Sequence, residues 1–419
     1  MKKISIAITA LASVVCFNSV ASDKEPVVSS QNGIDVRLVG DFYNPNTSDI
    51  VQKTTPVIYF EGLTQLGGEQ VVAGYKAAFK KDVMGMHIDS KIKELKSKSN
   101  NEKERAILKT LPKVRLAFPE LIAFYEGIAF ATEHKFDDVY LAAWAEEGLF
   151  AYEVKDAAKK GIAAMAEAIN NSKGCTAIGW ANGIIGQNQD MSIKLAGYGT
   201  IWKSPNLIIH AATPLYTAMV LGKNVATVTN TVDNFNTPSL ENGAPNSGIA
   251  MAAISKSKNT DDIIRIYNKL KVNTAYSPSF VDKLGNIITI EIQEPANKVI
   301  DGTNKGYVIH TNHPVGKEAE LVNQFANGDY KIFDNIAANT LWRYEVAELR
   351  AKYSPLQNVD AIKDLLTQKP ILMQPRADND FVSVNSVIHD LHAGCTYGTT
   401  WLSTIQDYTK VCFGDELEK

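Results

Sequence analysis

Cysteine is scarce in this 419-residue chain: there are four, at positions 16, 175, 395 and 412. Basic excess is absent. Lys and Arg number 43 against 46 Asp and Glu, a formal charge of −3, so the positive field that nucleic acid requires is missing. No long apolar run follows residue 21, which excludes a membrane-spanning helix from the mature chain. Internal repeats and low-complexity blocks are lacking too. What is present is 45% hydrophobic residues, enough to bury a large core in one big domain or two.

The N-terminus reads MKKISIAITALASVVCFNSVA. Two lysines, a short apolar run and small residues at Ser19 and Ala21 have the layout of a secretory signal, residues 1–21, cleaved after Ala21. Ser13, Val14 and Val15 before Cys16 lack the Leu and the small residue of a lipoprotein signal. Losing Lys2 and Lys3 takes the formal charge from −3 to −5. The expected location is outside the cytoplasm, the periplasm of a Gram-negative cell. Three cysteines remain, and an odd number in an exported chain points to one free thiol. Cys395 and Cys412 are close enough in sequence to pair in an oxidising compartment, leaving Cys175 free; all three being reduced or buried is the alternative.

The first half reads as mainly helical after two strands, 34–43 and 55–63. Helical pattern runs from Gly67 to about Ser99, breaks near Asn100–Asn101, and resumes at FPELIAFYEGIAFATEH with Pro119 in the first turn. Asp137 or Asp138 is placed to cap a third helix, and a fourth is expected over roughly 154–170, ending in NNSKG. The charged stretch 91–109 reads as a solvated helical face. From Cys175 onward short strands dominate: CTAIGWA, IIGQNQD, GYGTIW, NLIIHAA, LYTAMVL, NVATVTNTV, NIITIEIQE, KGYVIHTN, TTWLSTIQD and KVCFG. Helices are expected at 261–271, 339–353 and 360–368. This order predicts an α+β fold, with sheet layers covered by helices.

One stretch carries chemistry: GCTAIGWANGIIGQNQD, residues 174–190. Asn182-Gly183 between apolar strands signals a two-residue type I′ hairpin. That register pairs Ala181 with Ile184, Gly179 with Gly186, Ala177 with Asn188, and Cys175 with Asp190. Cys175, Asn188 and Asp190 would then share one face at the open end. A small buried Cys at a strand start is common, but a carboxylate aimed at a core needs a partner. A cysteine nucleophile needs a base, and no histidine is near in sequence. Cutting the Gly174–Cys175 bond would supply one, an α-amine of pKa about 7.7–8.0. Gly174 suits a bond to be broken, having no side chain to hinder attack.

GCT…GQNQD resembles the maturation and catalytic segment of the isopenicillin-N acyltransferase-like cysteine hydrolases, N-terminal-nucleophile enzymes more distantly similar to choloylglycine hydrolases. FEGLTQLGGEQVVAGYKAAF, PELIAFYEGIAFATEHKFDDVYLAAWAEE, VATVTNTVDNF, LGNIITIEIQEP, GYVIHTNHP and TTWLSTIQD follow in the family's order. The resemblance implies a four-layer αββα fold and autocatalytic cleavage before Cys175. The α chain would be 22–174 and the strand-rich β chain 175–419, packed together as one domain. It implies Cys175 as nucleophile and, through its amine, base. Asp190 would hold that amine, Asn312 would donate to the oxyanion, and Asn230 would be a second amide near oxyanion or substrate. Arg343 in LWRYE matches more loosely. Gln187, standing where choloylglycine hydrolases carry arginine, and Asn188 would contact substrate. No cofactor is implied. The partner is a small-molecule amide, and a homo-oligomer is compatible with such a chain.

Rival readings start from other residues. The pairs His310/His313 and His389/His392 raise a metal hydrolase, although HTNHP looks extended and would point the two rings apart. Asn230 and Asn312 also fit turn or strand-end positions, and Arg343 an ordinary salt bridge. A non-enzymatic envelope binding protein could keep the same fold with its chemistry lost.

Overall fold

In the computed structural model the described residues are 36–37, 55–160, 174–192, 198–232, 243–273, 276–292, 296–316, 338–373, 381–399 and 408–415. The leader, 161–173 and 400–407 lie outside them.

Among the described residues the segment upstream of Cys175 forms six helices: α1 (Gln65–Phe79), α2 (Val83–Lys98), α3 (Asn101–Leu108), α4 (Leu111–Ala117), α5 (Pro119–Thr132) and α6 (Phe136–Lys160). Their starts follow local chemistry. The side chains of Thr64, Asp82 and Asn100 accept the N–H three residues on, at α1, α2 and α3. Pro119 opens α5. Asp137 and Asp138 lie inside the first turn of α6 rather than at its cap as the sequence suggests, because the helix already starts at Phe136; there their charge suits the helix dipole. The expected break near 154 is absent: YEVKDAAKK contains no Gly or Pro, so α6 runs unbroken to Lys160.

The strands are β1 (Val36–Arg37), β2 (Val57–Tyr59), β3 (Gly174–Trp180), β4 (Ile184–Ser192), β5 (Thr200–Lys203), β6 (Leu207–Ala211), β7 (Met219–Gly222), β8 (Val225–Thr231), β9 (Tyr276–Asp282), β10 (Ile287–Glu291), β11 (Lys298–Asp301), β12 (Tyr307–His310), β13 (Phe381–Asp390), β14 (Cys395–Thr399) and β15 (Thr409–Cys412). Among the described residues, four further helices lie between them: α7 (Asn246–Lys256), α8 (Thr260–Lys269), α9 (Ala338–Tyr353) and α10 (Val359–Leu366). One sheet has the order β1-β2-β5-β6-β7-β8-β9-β10-β11, the other β12-β3-β4-β13-β14-β15. Strand β2, upstream of Cys175, pairs in parallel with β5, downstream of it. The two segments therefore share a sheet.

The layering follows from period two. Ala177, Ile185 and Val387 point into the large core between the sheets. Their neighbours Ile178, Ile184 and Ile388 point the other way, onto Ala347 and Ala351 of α9 and Ile362, Leu365 and Leu366 of α10. The upstream helices and α7 cover the outer face of the nine-stranded sheet. The result is the αββα sandwich.

Four strands, β9, β11, β13 and β14, are not among those expected from the sequence. β9 carries Pro278, a residue that argues against a central strand. β13 alternates poorly because Ser383, Asn385 and Ser386 are all buried polar residues. It also has a register shift between Ser383 and Asn385.

The hairpin is one residue off its expected register. Gly174 pairs with Asp190, Cys175 with Gln189, Thr176 with Asn188, and Trp180 with Ile184. The turn holds three residues, Ala181 to Gly183, with Gly183 at φ +89°. That left-handed glycine suits a three-residue hairpin loop. A one-residue slip exchanges faces.

Candidate active site

The slip sorts the candidate residues. Cys175 points between the sheets, on the face of Gln187 and Gln189, while Asp190 and Asn188 point to the outer face. The shared face expected for Cys175, Asn188 and Asp190 is therefore wrong. Asn188 donates to the Leu366 carbonyl at 2.6 Å and is fully buried against α10. It does not contact substrate on the thiol's side. Gln187 is on the thiol's face, but its amide is spent on the backbone of β8, donating to the Thr229 carbonyl at 2.6 Å and accepting its N–H at 2.8 Å.

Asn312, Arg343 and Asp190 meet around Cys175 and the residue before it. The Cys175 N–H donates to Asn312 Oδ1 at 2.9 Å. The Arg343 guanidinium donates through Nη2 to the same Oδ1 at 2.8 Å. Through Nη1 it donates to the Cys175 carbonyl and, at 2.8 Å, to Thr176 Oγ1. Because arginine only donates, the oxygen of Asn312 must face it, and the amide nitrogen turns the other way. That nitrogen donates to the Thr231 carbonyl at 2.9 Å and to Thr231 Oγ1 at 3.2 Å. In this uncut state Asn312 thus accepts at the Cys175 nitrogen rather than donating to an oxyanion.

Asp190 completes the group from the outer face. Ser383 Oγ donates to its Oδ1 at 2.5 Å. A Cβ built on Gly174 would lie 3.0 Å from Asp190 Oδ2 and 3.1 Å from Asp190 Cβ. The carboxylate fills the space that any side chain at position 174 would need. Burial raises the Asp190 pKa, opposed by Arg343 and the Ser383 hydroxyl. The Cys175 thiol is pushed up to about 12, first by burial and then by the Asp190 charge, against Arg343, Gln187 and the Thr231 backbone. In the uncut chain the thiol is protonated at neutral pH.

Asn230 stands one step back. Its amide donates to the carbonyls of His310 at 2.7 Å and Thr311 at 3.1 Å. It ties β8 of one sheet to the last residue of β12 and the one just after it, beside Asn312. Thr340 on α9 does a related job, taking the Asn312 N–H at 2.9 Å one helical turn before Arg343. Thr176, Thr231, Thr340 and Ser383 were not foreseen. Single hydroxyls on distant elements carry no spacing signal.

The histidine pairs have separate partners. His310 meets Glu291 Oε1 at 3.2 Å, whereas His313 meets the hydroxyls of Thr311 and Thr340, each at 3.1 Å. His389 is buried and bonds Thr396 Oγ1 at 2.9 Å, while His392 is exposed in the turn after β13. Among the described residues no group of three or more His, Cys, Asp or Glu is arranged to hold a metal ion. Cys395 and Cys412, opposite each other on β14 and β15, form a disulfide, and Cys175 is free and buried.

A sandwich of two facing sheets between helical layers, with a buried cysteine at the start of a strand, defines the N-terminal-nucleophile hydrolase class of fold. The family model described as acyl-coenzyme A:6-aminopenicillanic acid acyl-transferase matches residues 180–365. This stretch is similar to the family that GCT…GQNQD resembles; it contains Asp190, Asn230, Asn312 and Arg343 and begins just after Cys175. A mutant of the conjugated bile acid hydrolase from Clostridium perfringens is similar in structure, with TM-score 0.41 at 12% identity, covering 59% of this chain and 94% of that one. The penicillin V acylase from Agrobacterium tumefaciens has TM-score 0.36 at 10% identity, covering 54% and 82%. Neither likeness is close enough to add to what the sheets themselves show. No curated protein sequence matches the chain.

Proposed function

We propose that this chain is an exported, self-processing cysteine hydrolase of small-molecule amides, cut between Gly174 and Cys175. The observation that supports it best is that Asn312 accepts from the Cys175 nitrogen while Arg343 holds both Asn312 and the Cys175 carbonyl and Asp190 abuts Gly174. In the cut, Cys175 Sγ adds to the Gly174 carbonyl carbon. The C–N bond breaks, and the thiol proton passes to the departing nitrogen. Water then hydrolyses the thioester, leaving a Gly174 carboxylate and a free thiol.

The new amine, of pKa about 7.7–8.0, supplies the base that the uncut site lacks. Asn312 Oδ1 already accepts from that nitrogen, and Asp190 is beside it. On a substrate, the amine takes the thiol proton and Sγ attacks the carboxamide carbon. The amine then protonates the leaving nitrogen and afterwards activates water against the acyl-enzyme. The family's description names an acyl transferase. Hydrolysis is favoured here because water is abundant outside the cytoplasm and acyl-CoA is not. The signal-like leader and the Cys395–Cys412 disulfide both fit export to an oxidising compartment.

Intact mass and N-terminal sequencing of the purified protein test this. Two chains are expected, the second beginning Cys-Thr-Ala-Ile, with Cys175→Ala uncut and inactive on amides. A folded wild-type protein that stays in one piece would overturn the reading.

A further inference from the structure

Helix α6 lies upstream of Cys175, yet three residues of one stretch reach groups downstream of it. Glu147 is fully buried and accepts the Ser247 N–H at 3.0 Å and the Ser247 hydroxyl at 2.6 Å. Ser247 is the second residue of α7, so the carboxylate occupies that helix's positive end. Glu146, also buried, accepts the Thr213 hydroxyl at 2.5 Å and meets His87 Nε2 at 2.6 Å. Trp144 donates to the Gly243 carbonyl at 3.0 Å and accepts from Asn273 Nδ2 at 2.7 Å.

These contacts lead to the thiol. Thr213 and Tyr216 are bridged across one tight turn: the Tyr216 N–H donates to the Thr213 carbonyl at 3.2 Å, and the Ala212 N–H to the Tyr216 carbonyl at 3.1 Å. Fixing the Thr213 hydroxyl therefore fixes Tyr216. The Tyr216 ring packs against Tyr276 at 6.4 Å between centroids. The Tyr216 hydroxyl donates to the Thr229 carbonyl at 3.4 Å, the carbonyl that also takes the amide of Gln187, which lies on the same face of the hairpin as Cys175. Packing alone does not call for carboxylates: leucine would fill a buried helix face without the cost of desolvating a charge.

We infer that α6 is a positioning element of the catalytic pocket: from the upstream segment, Glu146 holds the turn whose Tyr216 supports Thr229 and Gln187 on the thiol's face, and Glu147 holds the start of α7. The inference takes from the proposed function the role of Cys175, but the clamp exists in the uncut chain. Once the bond is cut, the same contacts make the upstream chain part of the working site rather than a discarded piece.

The test uses the full chain. Thr213→Val removes the hydroxyl that Glu146 holds and keeps the side chain's shape. Alkylation of Cys175 by iodoacetamide should rise roughly tenfold, because a hydrogen bond to a buried carboxylate is lost and the turn opens more often. KM should rise more than kcat falls. Thr213→Ser should restore both. Ser247→Ala attacks the second carboxylate's partner independently, and a rise in alkylation is expected there too; it decides the matter if Thr213→Val does not fold. Wild-type alkylation and kinetics in the folded variants would overturn the inference. A wild-type protein neither cut nor active would sink the proposed function, while the alkylation measurement would still read the clamp.

Discussion

Gly174 shows what one missing side chain does. A Cβ there would press on the Asp190 carboxylate at 3.0 Å, which Ser383 also holds. Gly174→Ala should push that carboxylate off its partner by a few tenths of an ångström and slow the cut. The half-time of precursor conversion, followed by mass, checks it; conversion at the wild-type rate would show that the contact does not matter. The thiol offers a second measurement. Unfolded, it ionises from about 9; folded and uncut, from about 12. The folded state thus binds the proton more tightly, and stability contributed by this group is lost as pH rises above about 9. Cys175→Ala should melt with less alkaline sensitivity than an uncut protein that keeps the thiol.

At the scale of elements, the hairpin register decides which side chains can cooperate. Asn188 belongs to α10, through the Leu366 carbonyl, not to the substrate. Asn188→Ala should therefore destabilise the protein by about 1–2 kcal/mol, the cost of a buried unsatisfied carbonyl, and leave KM unchanged. A denaturant melt beside steady-state kinetics separates the two; a raised KM with unchanged stability would return Asn188 to the pocket. Asn182-Gly183 marked the turn correctly. The dipeptide does not say whether two or three residues form the loop, and that single residue exchanges the faces. Strands β9 and β13 were illegible for a related reason. Their Pro278, Ser383 and Asn385 serve pairing and the site, and so break the pattern by which strands are read.

For the whole molecule, acid is the expected weakness. His210 on β6 and His389 on β13 are buried, one in each sheet. Burial holds His210 down to about 4; burial and then the nearby His210 charge hold His389 down to about 3. Their unfolded pKa is about 6.5. The unfolded chain binds more protons below that value, so stability present at neutral pH is lost as pH falls from about 6.5 toward about 4. The loss is on the order of 2 kcal/mol per histidine by pH 5. Asp190 works in the opposite sense, since its folded pKa is raised. Melting temperature against pH should fall steeply over that window and less steeply in His389→Gln. A profile identical in the variant would remove His389 from the account.

Local chemistry along the chain was enough for the position of the hairpin turn and the α+β class, because turns and hydrophobic periodicity act between near neighbours; the roles of Asp190, Asn312 and Arg343 came into view only through the resemblance to a known family. The tertiary structure alone decided the register, the orientation of the Asn312 amide, the placing of Asn188 away from the thiol, and the reach of Glu146 and Glu147 across to the pocket. Those depend on which strand lies beside which and on donors that meet from residues as far apart as Cys175 and Arg343. Such contacts are selected by packing two sheets and their helices together, and no short stretch of sequence contains them.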